Sequence, residues 1–295
     1  MKKDKLKGLI WGSLLADAYS LGGHWLYDQR ELESSMLNFS GLNDPLCPYH
    51  PTKKAGDLTH YGDQSQWLLE YMNDAEIYDP FAFGKIWQDK MTEYTGYKDG
   101  ATTTSLANMN AGTSFLAAGS DSQDLSIVGR HAAIIFSIEN VDDIIESVKF
   151  HTCLTHMSKD MIDASKYITE VTLAMIHNLD VVTTIKERAA FYGETVNTAV
   201  NAAFEAKDIP TNEAIRALGR TCDIKDALAS TIYLLINYYD DFEALLKANV
   251  LAGGDSAARG MIAGMILGAR YGFEAIKPSW IEELNEYEKL NHLID

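Results

Sequence analysis

Two short stretches of the chain share one grammar: glycine, aspartate, then an apolar helical run. HYGDQSQW (60–67) sets Asp63 after Gly62, with Gln64 and Ser65 following, and AGGDSAARGM (252–261) sets Asp255 after Gly253 and Gly254. A carboxylate held at a helix start suits a hard cation such as Mg²⁺, and the amide of Gln64 adds a weaker, neutral oxygen. The commoner use of Asp or Ser at such a point is an N-cap that accepts from the free N–H groups of the first turn. On local sequence the cap is favoured at Asp255. It competes at Asp63, where Ser65 would then start the helix. ADAYSLGGHWLYD (16–28) places Asp17 and His24 around a Gly22-Gly23 break, and a histidine beside Trp25 is more often a packing residue than a catalyst. YTGYKDGATTTS (94–105) puts Asp99 ahead of a threonine run that includes Thr103. Asp99 has the chemistry of a general base or an acceptor for a ribose hydroxyl, but a turn residue before Gly100 is the default. In HTCLTH (151–156), His151 and His156 miss the three- or four-residue spacing that puts two ligands on one helix face. There is no G-x-S-x-G elbow, glycine-rich phosphate loop or H-E-x-x-H pair.

The whole chain constrains the partner. Its 42 acidic residues against 25 Lys and Arg give a formal charge of −17. That disfavours nucleic acid, whose binders replace counterions with cations, and it equally disfavours anionic lipid. A small anionic ligand would need a local cation. Cys47, Cys153 and Cys222 are odd in number and widely spaced, fit no zinc pattern, and make a reducing cytoplasm the simplest expectation. The basic start and Ala16-Asp17-Ala18 imitate a signal peptide, but Asp4 among the lysines and the continued helical spacing of Trp11, Leu15 and Tyr19 stand against one. No segment approaches the roughly 20 apolar residues of a membrane span.

The elements that must position these residues read as helices. Leu6, Leu9, Ile10, Leu14 and Leu15 fall on one face, and similar faces recur over 65–73, 81–94, 103–117, 160–177, 181–192, 224–238 and 241–251. Asp79-Pro80 and Thr211 mark helix starts, and Gly219 marks a stop. Residues 35–63 are the least regular, and AAGSDSQD (117–124) is a second loop; long loops on a helical body are common places for function. Gly260, Gly264 and Gly268 recur every four residues, giving a groove for close approach by another helix. Nothing resembles a linker or repeat, so the expectation is one all-α domain over 1–295.

Taken in order, GSLLADAYSLGGHW, YGDQS, LTH and GGDSAARGMIAGMILGARYG resemble the ADP-ribosylglycohydrolase family over nearly the whole chain. Within it, ADAYSLGGHWLYD, YGDQ and YTGYKDGATTTS look most like the branch related to jellyfish J-type crystallins. The resemblance implies a compact all-α bundle whose cleft holds two Mg²⁺ or Mn²⁺ ions on a Thr-Asp-Asp and an Asp-x-Asp-Thr set. Its implied chemistry is hydrolysis of the glycosidic bond that joins ADP-ribose to a side chain or small acceptor. Carried over, the first set falls on Gly62, Asp63 and Gln64, and the second on Asp255, Ala257 and Ala258. His24 replaces an early acidic residue. Asp99 and Thr103 match a segment that faces substrate, and Arg130 matches an arginine whose usual Gly-Asn neighbours are missing.

Only two carboxylates therefore remain, and the resemblance leaves at most one Mg²⁺ or Mn²⁺ on Asp63, Gln64 and Asp255, or none. One reading is a divergent glycoside hydrolase acting on an ADP-ribose-like ligand or an ADP-ribosylated substrate. Asp63 and Asp99 would be catalytic, with His24, Thr103, Arg130 and His156 binding substrate. The other is a lapsed, ligand-binding or crystallin-like protein of the same fold.

Overall fold

The computed structural model describes residues 2–295 and is all-α. The helices run α1 (Lys2–Ser20), α2 (Gln29–Ser34), α3 (His60–Asp74), α4 (Pro80–Glu93), α5 (Gly100–Asn110), α6 (His131–Ser137), α7 (Val141–Thr155) and α8 (Lys159–Ile176). They continue with α9 (Val181–Ala189), α10 (Glu194–Glu205), α11 (Thr211–Leu218), α12 (Ile224–Tyr238), α13 (Phe242–Leu251), α14 (Ser256–Tyr271), α15 (Pro278–Glu282) and α16 (Tyr287–Ile294). Short polar side chains start most of them. Asp28, Asp79, Asn140, Ser158, Asp180 and Asp241 each accept from N–H groups of the first turn, and Pro80 sits at the first position of α4. None is long and apolar enough to cross a membrane among the described residues.

The glycine groove on α14 is filled by α1, which brings glycines of its own. A Cβ on Gly264 would lie 2.2 Å from the Gly12 carbonyl oxygen, and one on Gly268 would lie 2.0 Å from that of Gly8. Gly260 faces Ala16 and Ser20, so the two helices run antiparallel with backbones touching. Both are buried almost all round, α14 from Ser256 to Ala269 and α1 from Gly8 to Ser20. They form the axis of a core to which Trp87, Tyr167, Ile232 and Leu290 contribute from other helices.

Several sequence expectations shift. The periodic face over 103–117 stops as a helix at Asn110, where the chain turns at Gly112 with φ +89°. The helices α6, α7 and α10 lie outside the expected periodic faces. The helix after Gly62 begins earlier than Ser65: it starts at His60, capped by Thr59, whose hydroxyl accepts from the Tyr61 N–H. Asp63 is therefore a first-turn residue and not a cap.

Candidate functional site

The AGGDS turn is built by its glycines. Gly253 and Gly254 take φ of +72° and +71°, conformations that side chains rarely adopt. A Cβ on either would meet a carbonyl oxygen, of Leu26 at 2.6 Å or Arg220 at 2.3 Å. The close approach pairs Gly254 with Leu26 and pins Trp25, itself at φ +63°, through its N–H to the Gly254 carbonyl. Asp255 then caps α14, accepting from the Ala258 N–H at 3.2 Å, and receives the Tyr61 hydroxyl at 3.1 Å on its other oxygen. The Nδ1 of His24 accepts from the Ala257 N–H at 3.3 Å and lies 3.5 Å from Asp255. Cap and site residue are one group.

Around Asp255 the fold buries ionisable side chains with few partners. Asp124 and Cys222 each bring a ligand-type atom to within 4.8 Å of the others and of Asp255. They arrive on neighbouring backbone, joined by the Leu125 N–H to the Cys222 carbonyl and the Ile224 N–H to the Gln123 carbonyl. Burial raises both carboxylates; repulsion from Asp255 and Asp99 adds to it at Asp124, and repulsion from Asp99 adds to it at Asp255. Asp255 is held closer to its ionised form by the Ala258 N–H, Arg259 and Tyr61, while Asp124 has mainly Ser126. Burial also raises the Cys222 thiol. The field of Asp99 and Asp124 reaches Arg130, which is buried with Nε and Nη1 unbonded. Asp99 caps α5 and bonds both the N–H and the hydroxyl of Thr102, at 2.6 and 3.0 Å. His156 binds Thr155 through Nδ1 and is held neutral by burial, its pKa lowered to about 3, with Nε2 unbonded.

Three aromatic residues flank this cluster. Trp25 packs edge-on to Tyr97 at 4.8 Å between ring centres and to Tyr49 at 5.6 Å, and Tyr49 is exposed. His24, His50 and His60 lie beneath them, with one nitrogen from each within 4.8 Å of the others.

The expected partnership of Asp63, Gln64 and Asp255 is not formed. Asp63 accepts from Lys53 at 2.6 Å and Tyr94 at 2.5 Å, both on Oδ2. Gln64 accepts from the Trp87 indole at 2.8 Å and donates to the His60 carbonyl at 3.0 Å. A Cβ on Gly62 would meet Asp17 Oδ2 at 2.3 Å, so no threonine fits there. Ala257 and Ala258 pack with Tyr61 and Met261 into an apolar cluster touching Trp25. Carbon and committed oxygens thus stand where the family's ligands would be, and these residues do not fit a two-Mg²⁺ centre.

Of the other expected residues, His24, Asp99, Arg130 and His156 are brought to the buried cluster or its edge. Thr103 is exposed, and its neighbour Thr102 is the threonine that meets Asp99. His50, His60 and Asp124 carry no expectation from sequence, and Cys222 entered there only as one of three widely spaced cysteines. Asp124 ends the AAGSDSQD loop and His50 lies in the irregular 35–63 segment, so the loops carried the only signal.

A family model described as ADP-ribosylglycohydrolase matches residues 1–295. Crystallin J1A of Tripedalia cystophora is 21% identical over 303 residues, covering 95% of this chain and 91% of that protein. An uncharacterized protein of Archaeoglobus fulgidus is 24% identical over 302 residues, covering 99% and 95%. A solved structure described as an ADP-ribosylglycohydrolase-related protein complex superposes with a TM-score of 0.79 at 19% identity, covering 99% of this chain and 96% of that one, which shows the fold.

Proposed function

The chain belongs to the ADP-ribosylglycohydrolase family, and from that membership we propose that it hydrolyses a glycosidic bond of an ADP-ribose-like ligand without the two-metal centre. The observation that carries the reading is the buried convergence of Asp124, Asp255 and Asp99 beside an Arg130 with two unbonded guanidinium nitrogens. Buried polar groups are nearly always satisfied, and unsatisfied ones concentrated at one place point to a ligand. Arg130 offers a charge-assisted fork for a phosphate or ribose oxygen. The rings of Trp25, Tyr49 and Tyr97 offer faces on which a base can stack.

Two carboxylates pushed to different proton affinities supply acid and base from one residue type. Asp124, with fewer donors, holds the proton and gives it to the leaving atom as the bond to the anomeric carbon breaks. Ionised Asp255 faces the positive charge that develops on the ribose, and water adds to the anomeric carbon, giving its proton back to the Asp124 carboxylate. Asp99, fixed by Thr102, adds a negative field that favours the charged form of Arg130.

The test is release of ADP-ribose from modified arginine, serine and small acceptors, assayed with and without added Mg²⁺ or Mn²⁺. Release indifferent to those ions, reduced on the order of 100-fold or more in Asp124→Asn and Asp255→Asn, is expected. A second reading, a crystallin-like protein that no longer turns over, is favoured by the likeness to Crystallin J1A. No release from any substrate, with a melting temperature unmoved by ADP-ribose, would establish it in place of the first.

A further inference from the structure

We propose that His24, His50 and His60 form a three-histidine site for a single transition-metal ion of the zinc class. The three rings come from separate places: His24 after α1, His50 from the irregular loop and His60 from the first turn of α3. All three are buried, and one nitrogen from each lies within 4.8 Å of the others. The Nε2 of His50 lies 3.2 Å from the Nδ1 of His60. Two imidazole nitrogens on one tetrahedral zinc, at about 2.0–2.1 Å each, stand roughly 3.3 Å apart. The pair shares a hydrogen bond at that separation, and moving the bridging proton to an outer nitrogen leaves two lone pairs at the edge length of a coordination tetrahedron. One nitrogen of His24 lies within reach of that pair, and its Nε2 is buried and bonded to nothing.

The outer partners fit the same arrangement. A metal-binding imidazole directs its other N–H to a carboxylate or carbonyl, which fixes the tautomer. Nδ1 of His24 accepts from the Ala257 N–H at 3.3 Å, so metal binding through Nε2 moves the ring proton to Nδ1 and turns it toward Asp255 Oδ1, 3.5 Å away; behind His60, Nε2 lies 3.8 Å from Asp99 Oδ2. His50 Nδ1 and His60 Nε2, the nitrogens that face away from the close pair, have no hydrogen-bond partner and are free to carry the ring protons. Neutral imidazole is the ligand form, and imidazole sets select zinc, copper, nickel or iron over the magnesium and manganese that carboxylates suit. Three protein ligands leave the fourth position open, as in catalytic zinc sites.

The competing location is the Asp124–Cys222–Asp255 group, whose thiol would mark any ion that chose it. The site goes beyond the hydrolase reading, because binding is read without turnover. Protein stripped of metal is titrated with Co²⁺ and followed by its visible ligand-field absorption, then challenged with Zn²⁺. One Co²⁺ per chain with the strong bands of tetrahedral coordination is expected, displaced by Zn²⁺ and indifferent to excess Mg²⁺. Affinity should fall by at least about 100-fold in His50→Gln and in His60→Gln, more than an outer partner costs. Cys222→Ser should leave the spectrum unchanged. X-ray absorption on the zinc-loaded natural chain reads the ligands with no substitution, and three imidazoles without sulfur are expected. Failure to bind one Co²⁺, a thiolate charge-transfer band lost in Cys222→Ser, or an all-oxygen shell would overturn the site.

Discussion

At the scale of single residues, Asp17 shows how a buried carboxylate ties the start of α3 to α1. Its carboxylate is fully buried against Gly62, with one oxygen taking the Thr59 N–H at 2.6 Å and the other the Thr59 hydroxyl at 2.6 Å. Burial outweighs both bonds and raises its pKa from 3.8 to about 7. The folded state therefore binds this proton more tightly than the unfolded chain. Its stabilising effect is complete below about pH 4 and is lost as pH rises to about 7. In Asp17→Asn the amide keeps one acceptor for the Thr59 N–H and donates to the Thr59 hydroxyl, so that slope disappears. Urea unfolding between pH 4 and 8 should show natural chain minus variant falling by up to about 4 kcal/mol as pH rises, then levelling. A difference flat across the range would contradict the buried, protonated Asp17. Local sequence could suggest Asp255 as a cap, and the structure adds that the same carboxylate meets Tyr61 and His24. It could not show Lys53 and Tyr94 closing on Asp63, because both approach from outside the YGDQS stretch.

At the scale of elements, α14 was the most legible helix, because glycine every four residues and an aspartate at its start are local signals. The helices α7 and α10 were harder, since α7 buries Ser147, His151 and Thr152 among Ile144, Val148 and Leu154, and half of the buried face of α10 is alanine, Ala199 and Ala203 beside Val196 and Val200. The antiparallel α1–α14 contact gives a direct test. A methyl at position 264 must displace the Gly12 carbonyl, whereas Gly100, at the start of α5, has no neighbour within 4 Å of a Cβ. Overpacking of this kind costs about 1–3 kcal/mol. Gly264→Ala should therefore lower the melting temperature by several degrees, while Gly100→Ala leaves it unchanged or raises it slightly by stiffening the unfolded chain. Equal, small effects at both positions would show that the two helices are not in backbone contact. The site elements were legible in part only. Asp124, Cys222 and Asp255 are brought together by a backbone bridge between two loops, and no periodicity records such pairing.

At the scale of the whole molecule, the acidic surface and the buried cation act in opposite directions. A formal charge of −17 repels an anionic nucleotide sugar during approach, whereas Arg130 attracts it only after entry into a buried site. Salt shortens the reach of the surface field, to about 10 Å at 0.1 M, but screens a buried contact much less. Most anion-binding proteins lose association rate as salt rises, because a cationic rim guides the ligand. Here the sign reverses. Stopped-flow association of ADP-ribose should accelerate between low salt and about 0.15 M, where the Debye length falls to about 8 Å, with dissociation nearly constant. Arg130→Met should abolish binding at every salt concentration, and Arg130→Lys should retain only part of it, since a point charge replaces the planar fork. An association rate that falls with salt would mean that the ligand enters past a basic surface and not through the ring of Trp25, Tyr49 and Tyr97.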